Sequence, residues 1–371
     1  MLKKVIITNF MNFKTKAVFD LSSPANYEFN NDIIKDGCIT KGIVYGINGS
    51  GKSNLALAVF DIVLHLTDKE KMLQRYQNYL NLESNKPAAD FEYQFEFHHH
   101  QVTYIYKKKN ASLLTYESLL IDDNEVLSYD FAQKEGYTTL RGAENIQLAS
   151  KLNSAADRLS RVKYLYNNAI LEDDETNRTF VDFMNFVDNM LMFYSLNENG
   201  YQGFSVGPDS YTQGIIRENK LKEFEDFLRS RDIDYHLEAI EINGIKEMFC
   251  RFSKNMIPFT SIASTGTRAL ALFYYWYIKM QSASFVFIDE YDAFYHFELS
   301  QSLVELLKGL KDTQVFLSTH NTDLLSNDIL RPDAYFMIEN NQIKSLDKCT
   351  PKELRKAHNI QKMYKAGTFN G

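Results

Sequence analysis

Gly46-Ile47-Asn48-Gly49-Ser50-Gly51-Lys52-Ser53 fits the pattern GxxxxGK[ST] in full, between an apolar run ending at Tyr45 and a helical run beginning at Asn54. A strand, a glycine loop and a helix in that order turn successive backbone N–H groups toward one anion at a helix N-terminus, where the helix dipole also favours negative charge. Lys52 is spaced to reach the β- and γ-phosphates of a nucleotide, and the Ser53 hydroxyl to ligate Mg²⁺. Gly46, Asn48, Gly49, Ser50, Gly51 and Asn54 are the remaining candidate contacts of this loop. The pattern works only where a strand end abuts a helix start, so it commits the chain to an α/β core.

Phe285-Val286-Phe287-Ile288-Asp289-Glu290 is an apolar run that ends in two carboxylates. It reads as a buried strand delivering both acids at its carboxyl end, where α/β sheets place ligands. Asp289 is the expected second Mg²⁺ ligand, and Glu290 the group that orients or deprotonates an attacking water. Ser264-Thr265-Gly266-Thr267-Arg268 precedes a helical run, so its hydroxyls and free N–H groups gather at another helix N-terminus. Val315-Phe316-Leu317-Ser318-Thr319-His320 ends a further buried strand on a histidine.

Val5 to Ile7, Lys16 to Phe19 and Cys38 to Tyr45 read as strands, and Asn54 to Leu66 as one helix. Phe91, Tyr93, Phe95 and Phe97 alternate with Glu92, Gln94 and Glu96, the period of an antiparallel sheet with one wet face. Residues 91–144 are therefore expected to be a β-rich arm, with further strands at Phe91 to Tyr106 and Leu113 to Ile121. The spacing of Phe180, Phe183, Phe186, Val187 and Met190, and the amphipathic run Leu221 to Leu228, predict a helical insert over 145–234. Strands at Tyr235 to Ile242, Met248 to Phe252, Phe285 to Ile288 and Val315 to Ser318 then accompany helices at Thr267 to Lys279 and Leu299 to Leu310. That later β/α alternation implies a parallel sheet. No heptad pattern lasts long enough for a long coiled coil.

Composition narrows the class further. A hydrophobic content of 44% with 24% charged residues excludes wholesale disorder, and no run approaches the roughly 18 apolar residues of a membrane span. The apolar start breaks at Thr8 and Asn9, so export is not expected. Cys38, Cys250 and Cys349 lack any CxxC spacing, which suits a reducing cytoplasm. A net charge of −7 argues against a generic nucleic-acid coat but leaves local basic stripes. Lys107-Lys108-Lys109 and the tail's Lys352, Arg355, Lys356, Lys362 and Lys365 are such stripes; a solvated hairpin tip and helix face is the plainer reading. His98-His99-His100 is not a metal cluster if these neighbours alternate between strand faces.

The order GxxxxGKS, SxGxR, apolar strand with Asp-Glu, strand ending in His resembles the ATP-binding-cassette (ABC-type) class of P-loop ATPases. Asn9-Phe10-Met11-Asn12-Phe13-Lys14, with Asn48 and Asn54, looks like the SMC and RecF-type heads. More narrowly, Ile257-Pro258-Phe259, Asp289-Glu290-Tyr291-Asp292-Ala293-Phe294-Tyr295-His296, Thr319-His320-Asn321-Thr322 and Met363-Tyr364-Lys365-Ala366-Gly367 resemble the RloA or AbiLi-like AAA-family ATPases of bacterial anti-phage abortive infection. Met11 stands where related heads often carry an arginine, for which Lys14 is the available substitute. The glutamine that links ATP to the inserted lobe in such heads is unassigned among Gln94, Gln133 and Gln147.

The resemblance implies an α/β head that dimerises around ATP and Mg²⁺. Ser264 and Gly266 of one protomer would close on the γ-phosphate held by Lys52, Ser53, Asp289, Glu290 and His320 of the other. The expected organisation is 1–90 and 235–345 as the two halves of the ATPase head, 91–144 as arm, 145–234 as insert and 346–371 as basic tail. The expected function is ATP hydrolysis in a cytoplasmic homodimer or higher homo-oligomer, regulating a separate effector, a nuclease or toxin, in antiviral defence. The 51 residues after His320 are too few for a nuclease domain of about 100 residues. Alternatives are an SMC/RecF-like DNA-repair ATPase that grips nucleic acid, and a nucleotide-gated scaffold with little turnover.

Overall fold

The computed structural model describes residues 1–69, 71–148, 159–195, 200–203 and 210–369. Its centre is a seven-stranded sheet in the order Gly200–Gly203, Met190–Ser195, Phe285–Ile288, Gln314–Thr319, Lys41–Tyr45, Tyr335–Glu339, Gln342–Ser345. The inner five strands are parallel and the two edge strands antiparallel. Lys41–Tyr45, Phe285–Ile288 and Gln314–Thr319 are buried at every position, because parallel strands are covered on both faces and so need continuous apolar runs.

A second seven-stranded sheet is antiparallel and runs Glu135–Thr138, Asn124–Asp130, Leu113–Ile121, His100–Asn110, Ala89–Phe97, Leu2–Thr8, Ala17–Asp20. Phe91, Tyr93 and Phe95 face inward as their alternation predicts. The expected arm strands are thus continuous with the first two strands of the chain. His98 and His99 form the turn of a two-residue hairpin, with φ of 49° and 72°. A third, three-stranded sheet comprises Leu237–Ile242, Ile245–Arg251 and Met256–Pro258. Among the described residues the longest helix is Thr265–Met280.

Three local expectations change. Met190 does not close the helix Glu175–Asp188 but opens the strand Met190–Ser195, parallel to Phe285–Ile288. A short fully apolar run does not distinguish a buried strand from a buried helix. The segment 145–234 therefore gives helices Arg161–Asn168, Glu175–Asp188, Tyr211–Arg217 and Leu221–Arg229 but also two strands of the central sheet; 149–158, 196–199 and 204–209 of it lie outside the described residues, as do 370 and 371 of the tail. The run from Asn54 to Leu66 splits into Lys52–Val59 and Val63–Leu66, and Asp61 sits at the break.

Lys108 is the third correction. Val102, Tyr104 and Tyr106 point inward, and the same period of two carries Lys108 inward with them. Its Nζ lies 2.9 Å from Asp61 Oδ2, with both side chains fully buried. Tyr79 and Tyr106 also donate to this carboxylate, at 3.0 and 2.8 Å. Lys107 and Lys109 remain on the outer face.

Candidate active site

The strand Lys41–Tyr45 hands the chain to Gly46 at the carboxyl edge of the central sheet. Gly46 is crowded: a Cβ there would lie 2.2 Å from Ser50 Oγ. Gly51 caps the helix Lys52–Val59 at φ +105°, where a Cβ would meet Asn12 Nδ2 at 2.4 Å. Only glycine meets both demands. Lys52 is buried, and its Nζ donates to the carbonyls of Gly46 at 2.8 Å and Ile47 at 3.3 Å. Burial lowers its pKa, opposed by the nearby Asp289 and Glu290.

Asn48 and Gly49 are exposed at the loop's apex. Asn54 faces the other way: its amide donates to Asn12 Oδ1 at 2.8 Å, and Asn12 donates to Asn341 Oδ1 at 3.0 Å. This trio borders a cavity of about 610 Å³ that Gln74, Arg75 and Gln77 also line. Lys14 is paired with Glu83 at 3.3 Å, and Met11 has a left-handed backbone at φ 47°.

Two strands across from the loop, Phe285–Ile288 presents Asp289 and Glu290. Asp289 is 4% exposed, and its carboxylate accepts a hydrogen bond from Ser318 Oγ at 2.5 Å, with the Ser53 side chain near enough to lower its pKa. Burial raises its pKa, which the hydrogen bonds of Ser318 and Ser53 oppose; Glu290 raises it further, and Arg75 acts the other way. The same Ser318 hydroxyl accepts from the Glu290 backbone N–H at 2.9 Å, so one side chain holds the Asp289 carboxylate and the Glu290 backbone. Glu290 has φ 50°, a conformation costly for a non-glycine residue, and its side chain turns out to solvent. Arg75 lies over the Tyr194 ring, 4.4 Å from its centroid.

His320 is exposed directly after Gln314–Thr319. Ser264 caps the helix Thr265–Met280, its hydroxyl accepting from Thr267 N at 3.1 Å, and it too is exposed, with Gly266 half-buried. Among the described residues, no hydrogen bond or ion pair links Ser264, Gly266 or His320 to Lys52, Ser53, Asp289 or Glu290. The chain thus brings Lys52, Ser53, Asp289 and Glu290 together and leaves the other three at its surface.

Sequence reasoning missed Ser318, Asn12, Asn341 and Arg75. Ser318 had a signal, a hydroxyl near the end of a buried strand expected in the same parallel sheet as the acidic one; the others depend on tertiary contacts. Gln94 is tied to Glu92 on the arm. A glutamine not singled out, Gln202, is fully buried beside the site: it accepts from Tyr194 Oη at 2.7 Å and donates to Phe60 O at 3.0 Å. His98 and His100 pair with different acids, Asp182 at 3.5 Å and Asp122 at 2.7 Å. Among the described residues no group of three or more His, Cys, Asp or Glu side chains could hold a metal ion, and no helix is long and apolar enough to cross a membrane.

The family model described as "AAA domain, putative AbiEii toxin, Type IV TA system" matches residues 43–326, well over half of the chain. No curated protein matches the sequence. Among solved structures, the "SMC head domain from Thermotoga maritima" is 15% identical, with 95% of this chain and 99% of that chain covered at a TM-score of 0.43. The SMC head bound to the C-winged helix domain of ScpA is 13% identical over 94% and 98%, at 0.45. The recombination mediator protein RecF with ATP is 12% identical over 93% and 99%, at 0.40.

Proposed function

Because the chain belongs to this AAA-domain family, we propose that it is an ABC-type ATPase that binds ATP with Mg²⁺ between two protomers and hydrolyses it. The observation that carries the reading is the buried Asp289 carboxylate at the end of its strand, bonded to Ser318 Oγ at 2.5 Å and close enough to the P-loop residues Ser53 and Lys52 for Ser53 to lower its pKa and for it to raise that of Lys52. A buried anion whose bonds come from hydroxyls is a setting that a hard divalent cation would stabilise, and the all-oxygen donor set suits Mg²⁺. Ser53 and Asp289 would hold that ion, which when bound neutralises charge on the β- and γ-phosphate oxygens.

The chain's own residues supply the rest. Lys52 exchanges its loop carbonyls for phosphate oxygens. Glu290, turned out of its strand beside Asp289, takes the proton of the attacking water. His320 contacts the γ-phosphate, and Ser264 with Gly266 of a second protomer completes the site. The exposure of Ser264 in the single chain is what a site finished by a partner requires. Calorimetry tests the assignment: Lys52→Ala should lose ATP binding, and full affinity in that variant would mean that this loop is not the site.

The finer reading is a cytoplasmic homodimer or higher homo-oligomer of the RloA/AbiLi-like kind that senses phage infection and controls a separate effector, a nuclease or toxin. Plaque counts on hosts carrying this gene alone, or with its native neighbour, test it. Protection should need the second gene and fail with Glu290→Gln, and robust protection from the single gene would contradict it. The nucleic-acid alternative loses one of its candidate cations, since Lys108 is committed to Asp61 inside the protein.

A further inference from the structure

The chain's last helix, Ile360–Lys365, packs against the turn that follows His320. That turn is a single 3-10 helix, Thr322–Leu324, capped by Asn321, whose side chain accepts from Asp323 N at 3.0 Å. On its inner side Tyr335 Oη reaches the carbonyls of Leu324 and Ser326 at 2.9 and 2.7 Å. The Tyr335 ring lies 6.0 Å from that of Tyr45, the residue leading into the P-loop. On its outer side Asp323 Oδ1 accepts from Gln361 Nε2, with Lys365 Nζ at 4.0 Å.

The tail is anchored well beyond this one bond. Leu354 and Ile360 are buried, and Asn327 Nδ2 reaches the carbonyls of Arg355, Lys356 and His358 at 2.9, 3.2 and 3.1 Å. The turn after His320 is therefore clamped between the central sheet and a strap formed by the chain's own C-terminal segment.

We propose that this strap positions His320 for turnover, with Asp323 and Gln361 as positioning residues, so that loss of the link between these two side chains slows hydrolysis without weakening nucleotide binding. The inference rests on His320 acting in turnover. A shift of about 1 Å in a group that meets a reacting phosphate costs up to about 10²-fold in rate. Both positioning side chains are partly or fully exposed, so their replacement leaves the core intact.

The test is steady-state ATP hydrolysis by full-length variants, with melting temperature measured beside it. Gln361→Ala and Asp323→Ala should each lower kcat at least about fivefold with KM within about twofold. Asp323→Asn, which keeps the acceptor oxygen, and Gln361→Lys, which restores the link as an ion pair, should retain the wild-type rate. In a His320→Ala background Gln361→Ala should have no further effect on kcat. A lowered melting temperature with unchanged kcat in Gln361→Ala would overturn the strap, as would Asp323→Asn behaving like Asp323→Ala. If His320→Ala itself turns over at the wild-type rate, the role of His320 falls and the strap with it; if His320→Ala is slow while Gln361→Ala is normal, only the strap falls.

Discussion

Lys108 Nζ lies 2.9 Å from Asp61 Oδ2, and neither side chain reaches solvent. The pair ties the antiparallel sheet to the break just after the P-loop helix, where Tyr93 and Tyr76 also donate to the carbonyls of Ala58 and Leu57. Burial lowers the pKa of Lys108 and the Asp61 carboxylate opposes it. Lys108→Met should cost about 3–5 kcal/mol, because it strands a buried carboxylate. Adding Asp61→Leu should recover only part of that, since the Tyr79 hydroxyl then loses its acceptor at about 1–3 kcal/mol, while Tyr106 Oη keeps Tyr93 Oη at 3.1 Å. Urea midpoints check both, and a double variant as stable as the wild type would contradict this account of the tyrosines.

Ser318 Oγ donates to the Asp289 carboxylate and accepts from the Glu290 backbone N–H. Ser318→Ala should lower kcat by about tenfold or more, the worth of a hydrogen bond to a charged group, with a smaller effect on ATP affinity. An unchanged kcat from phosphate-release kinetics would remove Ser318 from the site's support.

His65 is half-buried and packs against Tyr104, with its Nε2 3.0 Å from that hydroxyl, and desolvation, with Lys108 as the next cause, holds its pKa well below the usual imidazole value. The unfolded chain therefore takes up a proton near pH 6.5 that the native state refuses, and stability should fall as pH drops through that value, by up to about 1.4 kcal/mol per unit. His65→Gln should flatten the fall between pH 7 and 5. Equal slopes in denaturant titrations of the two proteins would contradict it.

Trp276 is the chain's single tryptophan, fully buried, with its ring 4.3 Å from that of Phe193. It sits on the helix that Ser264 caps, while the Phe193 carbonyl accepts from Asp289 N at 3.0 Å. If closure around ATP shifts this helix against the strand, emission should change on adding Mg²⁺ and ATP, and the change should vanish in Lys52→Ala. No change with saturating nucleotide would mean that the two elements move as one.

Much of the site can be read from the sequence because its strands are buried on both faces. Phe285 to Ile288 and Val315 to Leu317 had to be continuous apolar runs, and each is followed by polar groups at the carboxyl edge of the sheet. Gly46 to Ser53 was readable because the loop's crowding at Gly46 and its left-handed turn at Gly51 demand glycine. What stayed hidden depends on partners distant in sequence. Lys108 reads as a surface charge until the period of two set by Tyr104 and Tyr106 is extended through it. Met190 carries no mark that separates a core strand from the end of a helix. Asn12 earns its place only through contact with Gly51, Asn54 and Asn341.

Glu290 bears the central claim, that the two acids after Ile288 serve a hydrolytic site and not merely a binding loop. The most direct measurement is the steady-state rate of phosphate release by Glu290→Gln against the wild type at saturating Mg²⁺ and ATP. With Asp289 and Lys52 still present, nucleotide should bind as before while the rate falls by roughly 10² to 10⁴, the worth of a positioned base. A Glu290→Gln protein that releases phosphate at the wild-type rate would contradict the account.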